Sequence, residues 1–410
     1  MYIKRDISSL LVKSTAWIQV LLGPRQCGKS TLFAALYTEN SKTSGDLKFK
    51  EITFDDLQMR QLANNDPALF LQQFAPPLLL DEVQYVPNLF PELKMKIDQI
   101  KKDNLFQKSS AKKPSVLFRL TSSNQILMDK NIKESLAGRA SYYHLNTLSV
   151  HEIIKALPHI TTQDILFKGG WPELYTNTNL SVTGYLNDYI RSYVEKDIIL
   201  SAGIQKMAEF FTVLRLCAAR TAQETDYSDI QKDSGVSSVT IKDWISILER
   251  ADLIYQLKPY FNNISKRLIK RPKLYFLDTG LAARLQGWSE PIPLMNSPQI
   301  GSLFETLVLA EIVKYIRNYG KDWDLHFART KDGQEVDFII RTEIQKIYVI
   351  EAKYAIHGIT RAITLPPALA KEFGAKTPVI IVTAGGQKLK LGSHCTTMPI
   401  TELHDYLKTI

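Results

Sequence analysis

Gly23, Gly28, Lys29 and Ser30 stand at the spacing G-x-x-x-x-G-K-S in "GPRQCGKST". Glycines at both ends let the loop Gly23, Pro24, Arg25, Gln26, Cys27, Gly28, Lys29, Ser30 and Thr31 curl around a β-phosphate. Lys29 then reaches the β- and γ-phosphates, and the Ser30 hydroxyl is placed on Mg²⁺. "PPLLLDEVQ" supplies the other half of such a site. Asp81, at the end of an apolar run, suits Mg²⁺ through its water shell, and Glu82 beside it suits a base acting on an attacking water. ATP and Mg²⁺ are the cofactors this pairing implies. An acid poised for water also speaks against a nucleotide kinase. Cys27 reads as filler at a permissive position.

A second set of acids lies far along the chain. "LHFARTKDGQEVDFIIRTEIQKIYVIEAKY" alternates as strands, with "TKDGQ" around Gly333 and "RTEIQ" as hairpin turns. If the second hairpin is centred on Ile344, Asp337 and Glu351 lie directly opposite, with Cβ atoms about 5 Å apart. Lys353, two residues past Glu351, points to the same face. Acids that close repel unless something cationic lies between them. A divalent metal with Lys353 beside it is one solution, and Glu305, near the start of the amphipathic "GSLFETLVLAEIVKYI", would be a fourth member. A charge ladder in which Lys353 alone neutralises the acids is the other.

The elements that must position these groups follow from the patterning. "WIQVLLG" reads as a buried strand and "STLFAALY" as a helix whose positive end faces the phosphates. "FKEITFDD" is a further strand. "SVLFRLTSSN" is another, ending in hydroxyls and an amide, where Asn124 or Ser123 would touch the attacking water or simply make a turn. Arg139 precedes the strand-like "SYYHLN". A guanidinium there suits the γ-phosphate of a neighbouring copy, or a structural ion pair. This order is that of an AAA-type P-loop ATPase core over residues 1–150. Residues 151–204 read as a helical lid broken at "KGGWPEL", with Trp171 a packing anchor or a stacking platform. Residues 205–290 read as a winged helix-turn-helix region: two helices about Gly235, then a strand, with Ile230, Val236, Ile241, Trp244 and Leu248 on one apolar face. The second helix offers Ser237, Ser238, Thr240, Lys242 and Asp243, a surface short of arginine that speaks against sequence-specific DNA reading. Phosphate contact through "SKRLIKRPK" or docking of a protein remain.

The chain resembles a widespread prokaryotic family of ATP-binding proteins with an AAA domain and a carboxy-terminal domain of undefined function. The stretches that carry the resemblance are "YIKRDI", "GPRQCGKST", "DDLQMRQLANNDPALFL", "LLLDEVQYVPNLFPELKMKID", "SLAGRA" and "GGWPELY". It implies an α/β restriction-endonuclease-like fold of the PD-(D/E)xK type for residues 291–410. There Asp337, Glu351 and Glu305 would hold the metal and Lys353 would position the nucleophile. Val336 replaces the proline before Asp337. The family pattern Thr-Gly-Ser-Ser at the polar strand end is here Thr121, Ser122, Ser123, Asn124.

With 410 residues, 45% of them hydrophobic and 23% charged, the composition is globular and long enough for several cores. Three distant cysteines form no zinc or disulfide spacing, which fits a reducing cytoplasm. No apolar run approaches the roughly 18 to 20 residues of a membrane span, and no secretion signal is evident, so no membrane partner is expected. Lys plus Arg is 51 against 42 for Asp plus Glu, a net +9 that suits a polyanion and also suits solubility. "KKDNLFQKSSAKK" is a basic cluster or a solvated loop. Two functions follow: an ATP hydrolase coupled to a nuclease-like domain that contacts DNA, or an ATP-controlled regulatory switch with an inactive nuclease-like domain, in which ATP moves the lid and winged helix and exposes a surface that docks a protein or another copy.

Overall fold

The computed structural model describes residues 1–40, 49–106, 116–123, 128, 136–260, 271–330, 333–344, 346–374 and 376–410. Its contacts divide the chain into two units, one of Arg5–Asn146 with Arg317–Tyr319, the other of Met1–Lys4, Thr147–Ile316 and Gly320–Ile410.

The first unit is built on five strands, β1 (Ile18–Leu22), β2 (Lys50–Thr53), β3 (Leu78–Asp81), β4 (Phe118–Ser122) and β5 (Ala140–His144), in the order β2-β3-β4-β1-β5. Every pairing is parallel. Parallel strands are covered on both faces and therefore read as continuous apolar runs rather than alternating ones. All five residues of β1 and the three leucines of β3 are buried accordingly. The polar-ended strand β4 lies between β1 and β3. The helix Lys29–Asn40 leaves the loop after β1 and packs Leu32, Phe33 and Leu36 into a cluster with Leu21, Cys27 and Leu79. Cys27 is fully buried, a packing role in keeping with the filler reading.

In the second unit, the helix Val150–Ala156 starts at a capping box of Ser149 and Glu152. The helix Thr162–Lys168 stops at Gly169, whose φ of +71° is left-handed, and a Cβ on Gly170 would come within 2.4 Å of Leu148 O. Trp171 beyond them is 1% exposed and lies 4.2 Å from the Tyr189 ring, so it anchors packing and has no face for a base. Helices Tyr227–Ser234 and Ser238–Arg250 meet at the left-handed Gly235. Ile230, Val236, Ile241, Trp244 and Leu248 are all buried. Strands β6 (Gln223–Glu224), β7 (Ile254–Leu257) and β8 (Lys273–Phe276) make an antiparallel sheet in the order β6-β8-β7.

The carboxy-terminal part runs helix Ile300–Tyr319, β9 (Asp324–Arg329), β10 (Glu335–Arg341), β11 (Ile347–Lys353), helix Pro367–Phe373, β12 (Val379–Thr383), β13 (Leu389–Lys390) and β14 (Cys395–Pro399). The sheet order is β13-β14-β12-β11-β10-β9. Strands β9, β10 and β11 form an antiparallel meander, while β11, β12 and β14 are parallel. All three cysteines are buried and unbridged. No helix among the described residues is long and apolar enough to cross a membrane.

Candidate functional sites

The phosphate-loop geometry begins with backbone that only glycine accepts. Gly23 has φ +150°, and a Cβ there would sit 2.2 Å from Leu145 O; Gly28 has φ +92°. Lys29 opens the following helix, and its Nζ donates to Gly23 O (3.0 Å) and Pro24 O (2.9 Å). Ser30 Oγ donates to Asp81 Oδ1 at 2.9 Å, and Thr121 Oγ1 donates to the same oxygen. Spacing within the loop places Gly23, Lys29 and Ser30, and the sheet order brings Asp81 and Thr121 to them, because the strands ending in the loop and in Asp81 are separated only by β4.

Glu82 is held in a left-handed conformation (φ 58°, ψ 44°). Its Oε2 accepts from Ser123 Oγ (2.7 Å), Ser123 N (3.4 Å) and the Gln84 side-chain amide. Burial pushes the Glu82 pKa up, but the Lys29 charge and these hydrogen bonds outweigh it and hold the carboxyl below its usual range. Ser123 thus lies beside Glu82, whereas Asn124 is outside the described residues. Gln84 is a residue the motif reading missed. Its Oε1 accepts from Ser122 Oγ at 2.7 Å while its amide reaches Glu82, so it ties β4 to the acid. A glutamine two residues after an Asp-Glu pair was the available signal. Gln84→Leu is expected to slow ATP hydrolysis about tenfold to a hundredfold through a misplaced Glu82, with ATP affinity unchanged. Steady-state hydrolysis beside equilibrium nucleotide binding separates the two effects.

Arg139 is placed elsewhere. It adjoins Ala140, which pairs with Ile18 at the start of β1, whereas the phosphate loop leaves the other end of that strand. Its guanidinium grips Asp98 (Nε–Oδ1 2.7 Å, Nη2–Oδ2 2.6 Å) and Nη1 donates to Ala137 O. The Asp98 hydrogen bonds raise the Arg139 pKa. Within its own unit Arg139 is therefore an ion-paired residue beside the start of β1, at the opposite strand end from the loop.

The second constellation lies in the other unit. Pairs Phe338–Ile350 through Arg341–Ile347 share one antiparallel register, which places Asp337 opposite Glu351, as the hairpin centred on Ile344 required. The register against β9 shifts between Val336 and Ile339, an irregularity that takes in Asp337 and Phe338. Asp337 and Glu351 are both buried. Lys353 Nζ lies 3.1 Å from Glu351 Oε2 and 3.6 Å from Asp337 Oδ2, and that Asp337 oxygen accepts from Ala352 N at 2.8 Å. Glu305 joins them from the helix Ile300–Tyr319, with one oxygen of each of Glu305, Glu335 and Asp337 within 4.8 Å of the others.

Three more members of this group were not singled out from the sequence as site residues. Glu335 sits two residues before Asp337, on the same face of β10. Lys273 and Tyr275, in alternation on β8, reach Glu305 Oε1 at 3.0 and 2.6 Å. Lys273 ends the basic run "SKRLIKRPK", expected from the sequence to contact phosphate. It is buried instead and pairs with Glu305 and Glu335, while Arg271 pairs with Asp226 and 261–270 lie outside the described residues. Most of "KKDNLFQKSSAKK" is also outside them.

Burial and the Asp337 charge push Glu351 up to about 7, against the pull of Lys353, and push Glu305 up as well. The folded value lies above the ordinary 4.5, so the stability contributed by neutral Glu351 is full below about 4.5 and is lost as pH rises towards 7. In metal-free protein, Glu351→Gln is expected to flatten stability over that window, read from denaturant midpoints at intervals across it. An unchanged slope would show that Glu351 does not titrate there.

Comparison with known proteins decides the first unit. Residues 16–154 match the model of an AAA domain. The amino-terminal unit is of the AAA type. Beyond the AAA domain, residues 160–292 and 300–403 match two domains of unknown function, DUF8612 and DUF4143. The chain is similar to an uncharacterized protein of Mycobacterium tuberculosis, 27% identical over 343 residues, 82% of this chain and 71% of that one. It is also similar to one of Haemophilus influenzae, 22% identical over 82% of each. Among solved structures, the Walker-type ATPase of Pyrococcus abyssi is 15% identical at a TM-score of 0.40, over 70% of this chain and 96% of that one. The Aeropyrum pernix ORC2 protein is 13% identical at 0.38, over 68% and 90%.

Proposed function

We propose that the chain is a Mg²⁺-dependent ATP hydrolase coupled to a restriction-endonuclease-like domain that contacts and cuts DNA. In the AAA domain, Lys29 would exchange two loop carbonyls for phosphate oxygens, and Ser30 with Asp81 provides the hard oxygen donors that suit Mg²⁺. A Glu82 held below its usual range is ionised at neutral pH and ready to take a proton from water, with Ser123 and Gln84 fixing its direction.

The nuclease-like half rests chiefly on one observation: Asp337 and Glu351 face each other from adjacent strands with the Lys353 ammonium 3.6 and 3.1 Å away. The chain order helix, three antiparallel strands, helix, parallel strand supports the restriction-endonuclease-like reading. The donors are all carboxylates, which fit Mg²⁺ or Mn²⁺ and not a soft metal. Asp337 and Glu351 would hold such an ion, which would lower the pKa of a bound water, and Lys353 is positioned to hold the nucleophile or to offset charge on a phosphate. In the second reading the chain is an ATP-controlled switch with an inactive nuclease-like domain, and it docks a protein through its middle region. This reading is favoured by the exposed surface of the helix Ser238–Arg250, where Val239, Lys242 and Asp243 stand open and the one arginine is at the last residue. DNA incubated with wild type in Mg²⁺ or Mn²⁺, with and without ATP, tests the proposal. Cleavage is expected, and intact single-stranded, double-stranded and branched DNA would leave the switch.

A further inference from the structure

The acid site contains a second ammonium, and it comes from outside the hairpin. Lys273 opens β8, and its side chain is only 4% exposed. Its Nζ is 3.0 Å from Glu305 Oε1, is paired with Glu335, and lies 5.5 Å from the Phe327 ring centre. Burial works against its charge, yet Glu305 and Glu335 raise its pKa, so it is a full cation. Tyr275, on the same face of β8, donates to the same Glu305 oxygen. Glu305, Glu335 and Asp337 thus converge on a spacing that collects a hard cation, and the chain itself supplies one.

With a metal bound, which would deprotonate Glu351 and Glu305, four carboxylates (Glu305, Glu335, Asp337, Glu351) against two ammonium groups (Lys273, Lys353) leave two negative charges for one divalent ion to balance. Lys353 is 44% exposed and free to give way, whereas Lys273 is enclosed. An ammonium donates hydrogen bonds and balances charge, but it does not acidify a water as a metal does. Its position fixes Glu305 and Glu335 and leaves Asp337 for Glu351.

We propose that Lys273 is a tethered cation in the second cation position of the acid site, so that the site takes one divalent ion, at Asp337 and Glu351, instead of two. This rests on the metal-site reading above. Lys273 is a positioning residue, and it makes β8 part of the site. The test counts bound Mn²⁺ per chain by electron paramagnetic resonance of the free ion. Nucleotide-free, full-length protein carrying Asp81→Ala is used, so that the AAA site contributes none. One ion is expected with Lys273 or Lys273→Arg and two with Lys273→Met. A single ion in Lys273→Met, or two with Lys273 intact, overturns the inference while leaving the metal reading in place. No ion in any of the proteins removes the metal reading itself, and the inference with it. If Lys273→Met does not fold in metal-free buffer, refolding is compared with and without Mn²⁺. Recovery only with Mn²⁺ supports the replacement of ammonium by metal, and no recovery overturns it.

Discussion

Lys29→Ala is expected to abolish tight ATP binding. The ammonium makes hydrogen bonds to charged phosphate oxygens worth about 1.5–3 kcal/mol each. Losing two of them weakens affinity by roughly a hundredfold or more. The substitution also has a second effect, because Gly23 O and Pro24 O lose the donor they have in this structure. Leaving buried carbonyls unsatisfied costs about 1–3 kcal/mol each, so the variant should also melt lower. The two effects separate by measurement: calorimetric titration of ATP reports the first, and thermal unfolding without nucleotide reports the second. A folded Lys29→Ala protein with unchanged ATP affinity would remove the loop from the site.

Loss of DNA cleavage with intact ATP hydrolysis is the expected result for Asp337. Several kcal/mol of transition-state stabilisation are tied to a bound metal, so cleavage should fall about a thousandfold. Alanine is the blunter variant, since Asp337 Oδ2 accepts from Ala352 N and its removal also leaves that buried donor unpaired between β10 and β11. Asp337→Asn keeps an acceptor and discards the charge. It should abolish cleavage while preserving the fold, and should also lower the Glu351 pKa, because the Asp337 charge is one cause of its elevation. If Asp337→Asn cleaves as fast as wild type, the acid pair is a structural ladder.

How much was legible in the sequence depended on how local each relation is. The phosphate loop is a contiguous backbone conformation, so Gly23, Gly28, Lys29 and Ser30 announce it by spacing alone. Asp337 opposite Glu351 was legible because one hairpin fixes the register, and the pairs from Phe338–Ile350 to Arg341–Ile347 keep it. Lys273 and Tyr275 were not, because a strand paired into a different sheet brings them to Glu305. A basic run in sequence cannot show that one of its lysines turns inward between acids. Arg139 illustrates the same limit: its place at the amino end of β5 is set by strand direction, and its partner Asp98 comes from the helix Leu89–Phe106. Gln84 escaped because its role exists only when β4 lies beside β3.

Whether the acids at β10 and β11 are a metal site or a self-neutralised ladder is decided most directly by anomalous diffraction from a crystal soaked in Mn²⁺. The expected result is an Mn²⁺ peak shared by the Asp337 and Glu351 carboxylates at about 2.0–2.6 Å, with Lys353 displaced from one of them. Lys353 still bridging both acids, with no anomalous peak beside them, would contradict it.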